Sequence, residues 1–240
     1  MTLTVGSLFA GIGGFDLGLE RAGMCVRWQC EIDPYCQRVL AKHWPAVTRY
    51  GDIREVDWHA VEPVDLLCGG FPCQDISLAG KGAGLAGERS GLWFEYAKAI
   101  EVLKPRYVLI ENVSALRSRG LDQVLGSLAA LGYDAEWHVL SACEFGAPHT
   151  RERLFVLAYS AGKRLERNRA LAVRTREAIG TVCCEAVGGA WTEQSRPMGV
   201  AHGIPHRVDR LRGLGNAIVP QIAEMIGHAI LHAEIQTTVA

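Results

Sequence analysis

Thr4-Val-Gly-Ser-Leu-Phe9-Ala-Gly11-Ile-Gly13-Gly14-Phe15-Asp16-Leu-Gly-Leu-Glu20-Arg21-Ala22 is the stretch whose reading decides the fold. Thr4 to Phe9 is a short apolar run of the kind that forms a buried strand, and Phe15 to Ala22 has helical spacing. The glycines between them stand where a strand hands over to a helix. There they let backbone approach a ligand at the carboxyl end of the strand. A tight turn without a ligand would use the same residues. The dinucleotide fingerprint is not met, because its third glycine would fall on Asp16.

Outward from this unit the alternation repeats. Val26 to Ile32 reads as a strand and Pro34 to His43 as a helix with proline at its start. Val64 to Cys68 is an apolar strand, Leu92 to Leu103 a helix, Tyr107 to Ile110 a strand and Leu121 to Leu131 a helix. Glu136 to Leu140 and Arg153 to Ala158 read as the last strands. The pattern predicts an α/β fold with a parallel-rich sheet and helices on both faces. There is no internal repeat. The periodicity stops near Ser160 and resumes in a final helix, about Ile218 to Ile235, expected to pack back onto the sheet. The organisation is therefore 1–160 as the α/β unit, 161–208 as an irregular segment and 209–240 as the returning segment.

Composition excludes several classes. The chain has 240 residues, is 49% hydrophobic and 21% charged, which suits an ordinary globular protein and not a disordered one. No apolar run approaches the roughly 18 to 20 residues of a membrane span. The first residues lack the basic start of an export signal, so a cytoplasmic protein is expected. Its eight cysteines (Cys25, Cys30, Cys36, Cys68, Cys73, Cys143, Cys183 and Cys184) are then free thiols, and none are spaced as a zinc-binding pair. The net charge of -1 argues at first against nucleic acid. Split by region it reads differently: Ala161 to Arg212 holds ten basic and five acidic residues, +5, which leaves -6 on the remainder.

Four places carry chemistry. The second strand ends near Glu31, some twenty residues after the glycine loop, where an acid suits ribose hydroxyls. No phosphate-binding lysine accompanies it, so a nucleoside without a phosphate chain fits, S-adenosyl-L-methionine among them. Gly69-Gly70-Phe71-Pro72-Cys73-Gln74 follows a strand directly, so Cys73 stands where α/β sheets bind ligands; the plain reading of the other seven cysteines is a small buried hydrophobe. The residues from Gln74 to Gly91 are rich in glycine and serine, as in a closing lid. Glu111-Asn112-Val113 ends a strand; burial there would raise the Glu111 pKa, but capping a helix or pairing with an arginine explains it equally. In His149-Thr150-Arg151-Glu152-Arg153, an extended chain would point His149, Arg151 and Arg153 one way, or form a solvated edge with Glu152 pairing locally.

Taken together, Phe-x-Gly-x-Gly-Gly, Glu31, Asp52, Pro-Cys-Gln, Glu-Asn-Val, Arg-x-Arg and Gly215-Asn216-Ala217 resemble, in that order, the DNA cytosine-C5 methyltransferases. The likeness covers residues 3 to 158 and 210 to 228. It implies a class I S-adenosyl-L-methionine-dependent methyltransferase fold, Rossmann-like, with a small irregular recognition segment. It implies Cys73 as nucleophile at cytosine C6, Glu111 at N3, and Arg151 and Arg153 holding the base. It implies cofactor contacts from Phe9, Gly11, Ile12, Gly13, Gly14, Glu31, Ile32, Asp52, Ile53, Leu92, Asn216 and Ala217, and no metal. The partner implied is double-stranded DNA with the cytosine flipped out, the chain acting as a monomer, with a cognate restriction endonuclease as a further partner. His149 stands where the family usually has Gln, and Ile32 where many relatives have a larger ring. Only about fifty residues separate Arg-x-Arg from Gly-Asn-Ala, so a short recognition site is expected, as in compact phage-borne members; Arg207 to Arg212 is a remnant of the family's arginine-rich motif. The competing readings are a tRNA cytosine-C5 methyltransferase and a non-catalytic DNA-binding relative; an amino-group methyltransferase lacks its signature here.

Overall fold

The computed structural model describes residues 2–72, 91–147, 149–160 and 207–239. The expected lid, Cys73 and nearly all of the basic segment lie outside the described residues. Strand β1 (Thr4–Leu8) leads to helix α1 (Gly14–Arg21), β2 (Cys25–Cys30) to α2 (Pro34–His43), and a short β3 (Thr48–Tyr50) to a 3-10 turn at Ile53–Glu55. Then come β4 (Leu66–Gly69), α3 (Gly91–Leu103), β5 (Tyr107–Val113), α4 (Leu116–Arg119) and α5 (Leu121–Ala130). β6 (Tyr133–Ser141), a 3-10 turn at Ala142–Phe145, β7 (Glu152–Ser160), α6 (Arg207–Asn216) and α7 (Pro220–Val239) complete the order.

The seven strands form one sheet in the order β3-β2-β1-β4-β5-β7-β6. Successive side chains of a strand point to opposite faces, and here the two sets feed two cores. Leu8, Trp28, Leu67, Val108, Ile110 and Val156 join Tyr96, Ile100 and Leu128 of α3 and α5. Val5, Val26, Leu66, Leu109, Phe155 and Leu157 join residues of α1 and α7. Strands buried on both faces read as continuous apolar runs, which is why β4 and β5 stood out in the sequence.

The expected parallel-rich sheet with helices on both faces is present: β3-β2-β1-β4-β5 pair in parallel, and β7 adds antiparallel pairing with both β5 and β6. Two details differ from the sequence pattern. β5 runs on to Val113, so Glu111 and Asn112 lie within the strand rather than after it. The returning segment, expected to hold one final helix, has two: α6 ends at Asn216, and α7 starts at Pro220 after the short turn between them. The sequence pattern missed α6 because its glycines dilute any apolar stripe. It missed β3 because three residues carry no periodicity.

Helix α7 packs against α1 at very short range. A Cβ on Gly18 would lie 2.3 Å from the Pro220 carbonyl oxygen and 2.6 Å from the Ala223 Cβ. A polar lock fixes the far end of α7. Arg106 pairs with Glu234 and, at 3.6 Å, with Asp65; the Tyr107 hydroxyl donates to Glu234 at 2.5 Å; and Thr4 donates from both N and Oγ1 to Asp65 at 2.9 Å. These groups sit at the amino ends of β1, β4 and β5, which leaves the carboxyl ends of the parallel strands for function. Among the described residues no helix is long and apolar enough to cross a membrane.

The close approach at Gly18 sets the first prediction. Gly18→Ala drives a methyl into α7 backbone and should cost about 1–3 kcal/mol of stability. Gly126→Ala, with nothing within 4 Å in α5, should be neutral or stabilise by up to about 1 kcal/mol. Denaturant unfolding of both variants checks this; equal effects would contradict the packing.

Candidate active site

The loop after β1 is built from backbone that L side chains rarely adopt. Phe9 has φ 50°, Gly11 56° and Gly13 86°. Gly13 also lies against the Trp44 ring, 2.5 Å from where a Cβ would stand, so no side chain fits there. Phe9 does carry a side chain, and a non-glycine residue in this region costs of order 1–3 kcal/mol. Its ring is retained by packing near Tyr96, with centroids 6.3 Å apart. Leu92, in the first turn of α3, packs on the same apolar cluster.

Glu31 staples this loop to the end of β2. One carboxylate oxygen accepts from Gly11 N at 2.7 Å and the other from Asp33 N at 2.8 Å. Each oxygen keeps a second lone pair for another donor. Ile32 beside it is 59% exposed, an unusual position for a large aliphatic side chain. Asp52 caps the 3-10 turn and is gripped by Arg54, whose hydrogen bonds at 2.9 and 3.0 Å hold its carboxyl below the usual range. Ile53 is buried under the turn. An open cleft beside Asp52 is lined by Tyr50, Gly51, Val56 and Val61.

The C-terminal segment closes onto the same loop. The Cβ position of Gly213 lies 3.2 Å from the Ile12 side chain, and that of Gly14 lies 2.6 Å from the Ile218 carbonyl. Asn216 is exposed and Ala217 half-buried. Phe9, Gly11, Ile12, Gly13, Gly14, Glu31 and the turn at Asn216-Ala217 are thus brought together, with Leu92 joined to Phe9 through their shared cluster. Asp52 and Ile53 follow the adjacent β3.

Beneath the loop lies a buried polar group that the sequence reading did not single out. Asp16, fully buried in α1, accepts from Ser7 Oγ at 3.1 Å and from Gln29 Nε2 at 2.8 Å. It joins β1, α1 and β2 just below the loop and Glu31. Burial, chiefly, pushes its carboxyl up to about 6. The available signal was a single acid inside the apolar face of a short helix, which requires polar partners.

The second half of the site forms around β5. Glu111 is 8% exposed, and its Oε1 accepts from Arg153 Nε at 3.0 Å. Burial pushes its pKa up, against the pull of Arg153 and Arg151, and the net direction is up. Of the readings open in the sequence, pairing with an arginine is the one observed. A Cβ on Gly70 would stand 2.7 Å from Glu111 Oε2, so a side chain there would push the carboxylate aside. Asn112, also buried, donates from Nδ2 to the Phe71 carbonyl at 3.0 Å, and Phe71 stacks near Trp93 at 5.4 Å. The chain is therefore anchored up to Phe71-Pro72, the two residues before Cys73. The anchoring role of Asn112 was missed, although a polar residue inside a buried strand signals a required partner.

The two arginines have different hydrogen-bond partners. Arg151 has φ 23°, so the alternation of an extended chain breaks there. Its guanidinium donates to the carbonyls of Gly215 at 2.5 Å and Ala217 at 2.8 Å, whereas Arg153 faces Glu111. His149 is exposed. No cluster of His, Cys, Asp and Glu among the described residues could hold a metal ion.

Known proteins match this arrangement. The family model described as C-5 cytosine-specific DNA methylase covers residues 3–182. Type II methyltransferase M2.BsuMI of Bacillus subtilis (strain 168) is 38% identical over 164 residues, 65% of this chain and 42% of that protein. Type II methyltransferase M.Eco47II of Escherichia coli is 40% identical over 164 residues, 65% of this chain and 39% of that protein. The chain thus spans less than half the length of these curated relatives. Among solved structures, Spodoptera frugiperda DNMT2 superposes with a TM-score of 0.58 at 17% identity, covering 69% of this chain and 52% of that one, a likeness of fold.

The buried acid under the loop gives a second prediction. A carboxyl whose folded pKa lies near 6, above an unfolded value of 3.8, binds its proton more tightly when folded. Its contribution is present below pH 4 and is lost as pH rises through 6, roughly 3 kcal/mol in all. Asp16→Asn, which keeps partners for Ser7 and Gln29, should remove that loss. Unfolding midpoints at pH 4.5 and 7.5 should show the variant gaining on wild type at the higher pH; a difference independent of pH would contradict it.

Proposed function

The chain belongs to the C-5 cytosine-specific DNA methylase family, and on that premise we propose that it methylates C5 of a cytosine flipped out of duplex DNA, with S-adenosyl-L-methionine as donor and a covalent bond from Cys73 to C6. The observation that carries this reading is the buried Glu111, ion-paired to Arg153 and lying against Gly70, three residues before Cys73. A carboxyl with a raised pKa at that place suits proton donation to a ring nitrogen.

The lining of the β1 loop supports the cofactor. Glu31 keeps lone pairs for two hydroxyls, the exposed Ile32 offers an apolar face to a purine, and Asp52 stands by the open cleft as an acceptor for an exocyclic amine. When bound, S-adenosyl-L-methionine supplies an electrophilic methyl group. Phe9, Gly11, Ile12, Gly13, Gly14, Ile53, Leu92, Asn216 and Ala217 complete the enclosure.

The remaining steps belong to the chain and the base. The Cys73 thiolate bonds to C6, and electron density moves toward N3, where Glu111 holds a proton, and toward C5, which becomes nucleophilic. Arg153 fixes the Glu111 carboxyl and faces the ring. After transfer, the C5 proton leaves to a solvent base and the C6–S bond breaks, restoring the ring and the thiolate. Asn112 aims the loop by holding the Phe71 carbonyl. The basic segment 161–208 contacts phosphates and reads a short site, and the type II relatives point to a restriction endonuclease as a partner in the cell.

The test is methyl transfer by the full chain from labelled S-adenosyl-L-methionine to duplex DNA and, separately, to bulk tRNA. Label should enter DNA as 5-methylcytosine, Cys73→Ser should transfer none, and Glu111→Gln should lose about 10²- to 10⁴-fold in turnover. Label in tRNA alone, or transfer that survives Cys73→Ser, overturns the reading.

A further inference from the structure

The two arginines of Arg-x-Arg divide their work between the two ligands. Arg153 is spent on Glu111, at the base side. Arg151 has other partners: two nitrogens of its fork each donate to a different carbonyl, those of Gly215 and Ala217. The Gly215 carbonyl belongs to the last turn of α6, where carbonyls have no partner within the helix and a cation is favourably placed. The segment it grips is the one that packs on the glycine loop, through Gly213 on Ile12 and Ile218 on Gly14.

We propose that Arg151 is a positioning residue for the cofactor, holding the 215–217 turn against the β1 loop, rather than a group that holds the base. This rests on the methyltransferase reading. The left-handed backbone at Arg151 is consistent with it: such a φ persists where the surroundings over-determine it, and here the guanidinium is seated on two carbonyls instead of on Glu111. The guanidinium gives up water and lies near a second cation, yet stays charged. A lysine cannot take its place, because an ammonium has no planar fork to span two carbonyls set by the backbone. Arg151 thereby joins the start of β7, whose Arg153 pairs with Glu111 of β5, to the wall of the cofactor side.

The experiment measures S-adenosyl-L-methionine binding by the full chain, without DNA, for wild type, Arg151→Ala, Arg151→Lys and Arg153→Ala. Both Arg151 variants should bind about tenfold or more weakly, as expected from losing charge-assisted hydrogen bonds. Arg153→Ala should stay within about twofold of wild type, since its partner is on the base side. Hydrogen exchange keeps a stability defect apart from a local one: amides at 213–219 should lose protection in the Arg151 variants while those at 107–113 keep theirs. If wild type binds and both Arg151 variants bind equally well, the inference falls alone. If protection is lost throughout the sheet together with affinity, the role is merely structural and the inference also falls. If wild type does not bind at all, the methyltransferase reading falls and the inference with it.

Discussion

Arg153 reaches Glu111 because β7 runs antiparallel between β5 and β6. The pairing sets Phe155 opposite Glu111 and Arg153 opposite Val113, so a cation from one strand end meets a carboxylate from the other. A carboxylate this deeply buried is costly unless it is paired or protonated. Arg153 supplies the pairing and burial favours the proton, and the competition leaves a group that can do either. The parallel neighbour β4 aligns Gly69 with Ile110, which puts Gly70 beside Glu111, where a side chain would displace the carboxylate. The strand order thus fixes the surroundings of Glu111 before any loop is considered.

The rest of the molecule keeps the two ends of the sheet distinct. At the amino ends, Thr4, Asp65, Arg106, Tyr107 and Glu234 satisfy one another and tie down α7. At the carboxyl ends, where open α/β sheets generally bind ligands, lie Glu31, Glu111 and Asn112. Helix α7 links the ends: it is locked at the first and, through its approach along α1, delivers Ile218 to Gly14 at the second. The left-handed backbone of Phe9 and Arg151 lies on the second side, where aromatic packing and carbonyl bonds hold it; Lys104, just before β5, has the same conformation at the first.

Much of this was legible in the sequence, for identifiable reasons. Pro34 to His43 was read with its observed bounds because Pro34 and Asp33 mark the helix start, Asp33 accepting from Tyr35 N and Cys36 N. The buried strands stood out by their apolar runs, and the motif order singled out Glu31, Glu111 and Arg153, which the fold sets at strand ends. Strand direction was not legible, since an apolar run such as Arg153 to Ala158 reads alike in either sense. Nor was the parting of Arg151 from Arg153: alternation assumes an extended chain, and a single left-handed residue breaks it. Asp16 and Asn112 were passed over because each partner lies on another element, Gln29 on β2 and Phe71 after β4. Such long-range pairing leaves only a polar residue in an apolar setting as its trace.

In the proposed reaction Glu111 and Arg153 form the base side of a site whose nucleophile is Cys73. Incubating the full chain with S-adenosyl-L-methionine and a duplex carrying 5-fluorocytosine tests it directly, because fluorine at C5 prevents the elimination that would free the cysteine. Mass spectrometry should find one covalent protein–DNA adduct, mapped to Cys73 and absent from Cys73→Ala. No adduct, or an adduct on another residue, would contradict the account.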